Sequence, residues 1–65
     1  MTVIVRTMVG SEVMVHSFRN AIARYHSYLG AEKPHELIVT GDDPYEHHFP
    51  LSNVIEWSSF DPNNR

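Results

Sequence analysis

The chain has 65 residues, five Lys and Arg against eight Asp and Glu, five His and no Cys, for a formal charge of −3. The absence of cysteine excludes a disulfide framework, a thiolate metal site and a cysteine nucleophile, and the length limits the chain to one domain. The acidic balance argues against a general nucleic-acid coat, and no apolar run approaches the roughly 20 residues of a membrane-spanning helix.

Residues 2–9, rich in Val, Ile and Thr, predict a strand. Gly10-Ser11 predicts a type II′ hairpin turn, because glycine accepts positive φ at its first position. Residues 12–16 return as the second strand.

Residues 17–29 fit two patterns. As a helix, Phe18, Ala21, Ile22, Tyr25, Tyr28 and Leu29 form one apolar stripe, with Ser17 as N-cap and Gly30 just past the end. As a strand, Ala21, Ala23 and Tyr25 face inward, Arg24 and His26 outward, and a loop runs through Gly30 to Pro34. The helix is the preferred expectation, although Arg19 in its first turn opposes the helix dipole.

Residues 36–40 predict a strand, Gly41-Asp42-Asp43-Pro44 a turn, and 45–49 a return strand stopped at Pro50, which has no N–H to donate. Leu51-Ser52-Asn53 fits one turn of 3₁₀ helix, and 54–57 a short last strand. The domain is expected to span 1–58, with 59–65 a frayed polar tail. The expected class is therefore α+β: a small antiparallel sheet or partly open barrel of two hairpins and a short last strand, with one helix at about 17–29. Hairpin, excursion, hairpin, one-turn corner and final strand together resemble the layout of small SH3-like or Sm-like barrels. That resemblance implies an all-β alternative and carries no site residues.

The predicted strands are apolar on both faces. Val3, Val5 and Val9 oppose Ile4 and Met8; Leu37 and Val39 oppose Ile38; Val54 opposes Ile55, with Trp57 on the Ile55 side. A solvated second face reads polar. A domain this small also buries only about 60% of the surface of its unfolded chain, so self-assembly or a metal has to supplement the core. Both arguments point to a homo-oligomer.

Charge is uneven. Residues 1–33 hold Arg6, Arg19, Arg24 and Lys33 against Glu12 and Glu32, whereas 34–65 hold Arg65 against six carboxylates. On a helix Arg19, Arg24 and His26 share the exposed side, where two guanidinium groups can grip an anion. Tyr45 and Trp57 are the aromatic anchors expected at an interface.

Five histidines invite a metal reading, with His16, His35, His47 and His48 as the ligands. Adjacent His47 and His48 point to opposite faces of a strand, however, and no helical His pair is spaced for chelation. Several histidines titrating near about pH 6.5 fit a pH-sensitive assembly more simply. No nucleophile elbow, P-loop or dinucleotide fingerprint occurs, so no enzyme activity and no cofactor are expected. Aromatics near basic residues raise a small nucleic-acid-binding barrel as an alternative. The opening residues lack a secretion signal, which suggests the cytoplasm.

The function expected from the sequence is a non-enzymatic regulatory or inhibitory binding module. It acts as a homo-oligomer on a partner protein, or on a small anionic ligand held between protomers, through Arg19, Arg24, His26, Tyr45 and Trp57. Small accessory proteins of this size are common in phages and other mobile elements, and such an origin is one expectation for this chain.

Overall fold

The computed structural model describes residues 1–61; the expected tail beyond Asp61 lies outside the described residues. Six strands follow in order: β1 (Thr2–Val9), β2 (Glu12–Phe18), β3 (Ile22–His26), β4 (Glu36–Thr40), β5 (Glu46–Pro50) and β6 (Val54–Phe60). A 3₁₀ turn at Leu51–Asn53 links the last two. All pairings are antiparallel, in two three-stranded sheets ordered β2-β1-β6 and β3-β4-β5. No ladder joins the sheets, so they do not form a closed barrel. No helix among the described residues is long and apolar enough to cross a membrane.

The helix expected at 17–29 does not form. Residues 22–26 pair with β4 from Ile22↔Thr40 to His26↔Glu36 instead. The helical stripe had no core to face: Ile22, Tyr25, Tyr28 and Leu29 are all exposed, and of its members only Ala21 is buried. Gly30 is not a helix cap. It takes φ 84 as the third residue of a turn in which the Ala31 N–H donates to the Tyr28 carbonyl, where a type II turn requires positive φ.

Gly10, at φ 62 with no positive φ at Ser11, has the sign pattern of the expected hairpin turn. β1 then alternates: Val3, Val5 and Thr7 are buried, while Arg6 and Met8 on the other face are exposed. The core cluster is Val3, Val5, Ala21, Leu37 and Val39, bordered by Phe18, Ala23, Phe49, Leu51, Val54 and Trp57. The two sheets thus bury their facing sides against each other.

β6 departs from simple alternation. Arg6 pairs with Glu56 but Thr7 with Val54, so Ile55 is the extra residue of a β-bulge. The bulge places Val54 and Trp57 on the core side and leaves Ile55 exposed, so Val54 opposes Ile55 as expected but Trp57 moves to the Val54 side, against the expectation. Ser59 and Phe60 pair with Val3 and Thr2, carrying the strand past residue 58.

The β2–β3 corner is held by three fitted residues. Asn20 adopts φ 49, and its Nδ2 donates to both carboxylate oxygens of Asp42, at 3.0 and 3.3 Å. Asparagine tolerates this left-handed conformation better than most residues. Opposite it, a Cβ on Gly41 would lie 3.1 Å from the Arg19 carbonyl oxygen, so glycine permits the close approach. The Ala21 N–H donates to the Met1 carbonyl at 2.7 Å and ties the corner to the start of β1.

Candidate functional site

Three surfaces carry chemistry. The first is the outer face of the sheet β3-β4-β5. Pairing sets Arg24, Ile38 and His48 in one cross-strand row, with Glu36 beside His26 and Glu46 beside Thr40 in the rows on either side. Arg24 Nη2 reaches across β4 to Glu46 Oε2 at 2.7 Å. His48 Nδ1 donates to Glu36 Oε1 at 3.1 Å, and its Nε2 faces Glu46 Oε1 at 3.3 Å. Ile38 lies within this network and is only 3% exposed, so the stems of the charged side chains cover it.

With a carboxylate at each ring nitrogen, His48 favours the cationic form. The hydrogen bond to Glu36 raises its pKa above 6.5, desolvation opposes this, and Glu46 adds a smaller lift. His26 Nδ1 also lies 3.1 Å from Glu36 Oε1, yet it is buried and makes no hydrogen bond. The contact is one of proximity, without the alignment of a bond.

The second surface is the gap between β2 and β5. Two histidines and two phenylalanines interleave there. His16 packs on Phe49 with centroids 5.0 Å apart, Phe18 on His47 at 4.7 Å, and the two Phe rings meet edge-on at 6.0 Å. His16 Nε2 bonds the buried Thr7 hydroxyl at 3.0 Å. His47 Nε2 donates to Asp43 Oδ2 at 2.8 Å and holds that carboxyl below its usual pKa. A shallow, open cleft of about 530 Å³ runs along this gap. Among the described residues no carboxylate is bonded to the Thr7–His16 pair and no hydroxyl to the His47–Asp43 pair, so the two pairs stand separately.

The third surface is the outer face and free edge of β2-β1-β6. Met8 and Val13 are cross-strand partners, and Val15 stands opposite Arg6. Met8, Val13 and Val15 are 41%, 54% and 62% exposed and form an apolar band beside the unpaired edge of β2. Arg6 and Glu56 cross the neighbouring part of the face with a 2.7 Å ion pair.

The residues expected at a site are dispersed. Arg24 and His26 do share an exposed face, on a strand and not on a helix, and Arg24 is engaged by Glu46. Arg19 sits at the β2–β3 corner, beyond the opposite end of β3 from His26. Tyr45 is exposed just before β5, where its N–H donates to Asp43 Oδ1. Trp57 lies across the core on β6 and donates from Nε1 to the Tyr25 hydroxyl at 3.1 Å. The alternative metal ligands are also apart. His16 and His47 are in the β2–β5 gap, His48 is on the far face of β5, and His35 stacks on Tyr28 in the β3–β4 connection. Among the described residues no group of three or more His, Asp or Glu is placed to hold a metal ion.

Sequence reasoning missed Glu36, Glu46, Phe18 and Phe49 as members of these surfaces. The period-two alternation of 45–49 was a signal that could have set Glu46 beside His48 and Phe49 beside His47, whereas the unbroken apolar run 37–39 and Phe18 carried none. No family of known proteins matches the chain, no curated protein matches its sequence, and no solved structure matches its fold.

Proposed function

We propose that this chain is a small non-enzymatic binding module that works as a homo-oligomer in the cytoplasm and regulates or inhibits a partner protein. The observation that carries this reading is the exposed apolar band of Met8, Val13 and Val15 beside a strand edge with no partner. Contiguous apolar surface next to an open edge marks a contact surface between proteins. The core gives a second reason: among the described residues six apolar side chains are buried, a small number on which to rest a stable fold.

A role in holding a small anion has less support. Arg24 is neutralised by Glu46, and Arg19 stands apart from His26.

Native mass spectrometry at neutral pH tests the proposal. A multimer of the chain is expected, and substitution of the band by Val13→Lys is expected to lower its mass to that of one chain. A monomer at every concentration would contradict the oligomeric part of the proposal.

A further inference from the structure

We propose, building on the homo-oligomer reading above, that the free edge of β2 pairs with β2 of a second copy, antiparallel and two-fold symmetric about Met14. The strand is unusually open to such pairing. It ends the order β2-β1-β6, and seven unbroken pairs with β1 run from Val3↔Phe18 to Val9↔Glu12. Natural edge strands are blunted by bulges, proline or lysine. Glu12–Phe18 has none of these, its one formally charged side chain is Glu12 at the turn end, and residues 12–15 are all exposed.

Main-chain geometry selects which groups are offered. In a two-residue hairpin the residues flanking the turn, Val9 and Glu12, exchange both backbone bonds, and bonded pairs then alternate along the ladder. The N–H and C=O groups of Glu12, Met14 and His16 therefore point to β1. Those of Val13, Val15 and Ser17 point to the empty side.

Side chains select the register. Centring on Met14 sets Val13 opposite the partner's Val15 twice, joining the two exposed bands into one. It also sets Glu12 opposite the partner's His16 twice. The Glu12 carboxylate makes no hydrogen bond or ion pair among the described residues, although its backbone is bonded to β1. His16 commits Nε2 to Thr7, and among the described residues no hydrogen bond is made at Nδ1. An Nδ1–H donor facing a carboxylate is the favourable cross-strand combination. Centring on Val15 instead would set Glu12 against Phe18 and Val13 against Ser17. It would also carry the pairing on to Ser17 and Phe18, further along the side where β2 lies against β5.

The register makes a covalent test available. Met14 lies on the two-fold axis and faces the partner's Met14 as a non-hydrogen-bonded pair, with Cα atoms about 4.5 Å apart. That separation falls within the span of a disulfide, about 4.4–6.8 Å. The chain has no cysteine of its own. Mild oxidation of Met14→Cys is expected to give a disulfide-linked dimer, while Tyr45→Cys, on an exposed turn away from the edge, stays single. Val15→Lys is expected to weaken association by about tenfold or more while the chain remains folded, and this variant decides the matter if Met14→Cys does not fold. A wild-type oligomer that neither cross-links at position 14 nor responds to Val15→Lys would overturn the β2 pairing and leave the oligomeric reading standing. A wild-type monomer at all concentrations would overturn both.

Discussion

Trp57 on β6 and Tyr25 on β3 are joined by an indole N–H to phenol hydroxyl bond of 3.1 Å, with their rings edge-on at 6.0 Å. The two strands belong to different sheets that share no ladder, so this pair is a polar link across the core. Tyr25→Phe keeps the ring contact and removes the acceptor. It is expected to cost about 0.5–1.5 kcal/mol, towards the lower value because Tyr25 is more than half exposed. Trp57→Ala removes the ring that packs beside Val5 and is expected to cost about 3 kcal/mol. Urea denaturation measures both, followed for Tyr25→Phe by Trp57 fluorescence. A domain of this length is stable by only about 3–10 kcal/mol, so the second change is visible at once in the unfolding midpoint.

The β2–β3 corner makes a different prediction, about space and not about bonds. Gly41→Ala would place a methyl 3.1 Å from the Arg19 carbonyl oxygen, which is backbone and cannot swing away. A loss of about 1–3 kcal/mol is expected. Asn20→Ala keeps a Cβ in the left-handed region but loses the two contacts to Asp42 that compensate it. Asn20→Gly loses the contacts but relaxes the backbone, so it is expected to be the milder of the two changes. Thermal unfolding of the three variants ranks them directly.

Mild acid is expected to stabilise the fold. His48 holds its proton more tightly in the folded chain, because Glu36 accepts from it and Glu46 lies alongside. Its contribution is full below the ordinary value of 6.5 and is lost as pH rises through the higher folded value. Asp43 behaves oppositely. Its pKa is lowered by His47, so its contribution is present above the ordinary value of 3.8 and is lost as pH falls through the lower folded value. Between these limits both contribute. The unfolding midpoint is therefore expected to rise from about pH 8 to about pH 6, and His48→Gln is expected to flatten that rise. Titration of the His48 ring by NMR gives an independent check, with a midpoint above 6.5 expected.

Much of the strand layout was legible in the sequence. β-branched runs at 2–9 and 36–40, the Gly10 turn and the Pro50 stop gave four strands and the 3₁₀ corner within a residue or two. The segment 17–29 was not legible, because Phe18, Ala21, Ile22 and Tyr25 satisfy a helical period while 22–26 also alternate as a strand. Pairing with the apolar strand Leu37-Ile38-Val39 decides between the two, and that partner is distant in sequence. The bulge at Ile55 was equally hidden, since an added residue shifts the faces on either side of it without any local signature. Arg24 and His26 share one face, as the strand alternative for 17–29 had it, but Arg19, expected beside them, stands at the β2–β3 corner. What they face could not be read, because Glu36, Glu46 and His48 reach them only through the register of β4 and β5.

The pairing of β2 with a second copy is tested most directly by amide hydrogen exchange at Val13 and Val15. Both N–H groups point away from β1, so within one chain they face solvent, whereas those of Met14 and His16 are bonded in the hairpin. At high protein concentration Val13 and Val15 are expected to exchange as slowly as Met14 and His16, and to speed up on dilution while the other two do not. Fast exchange at Val13 and Val15 at every concentration would contradict the pairing.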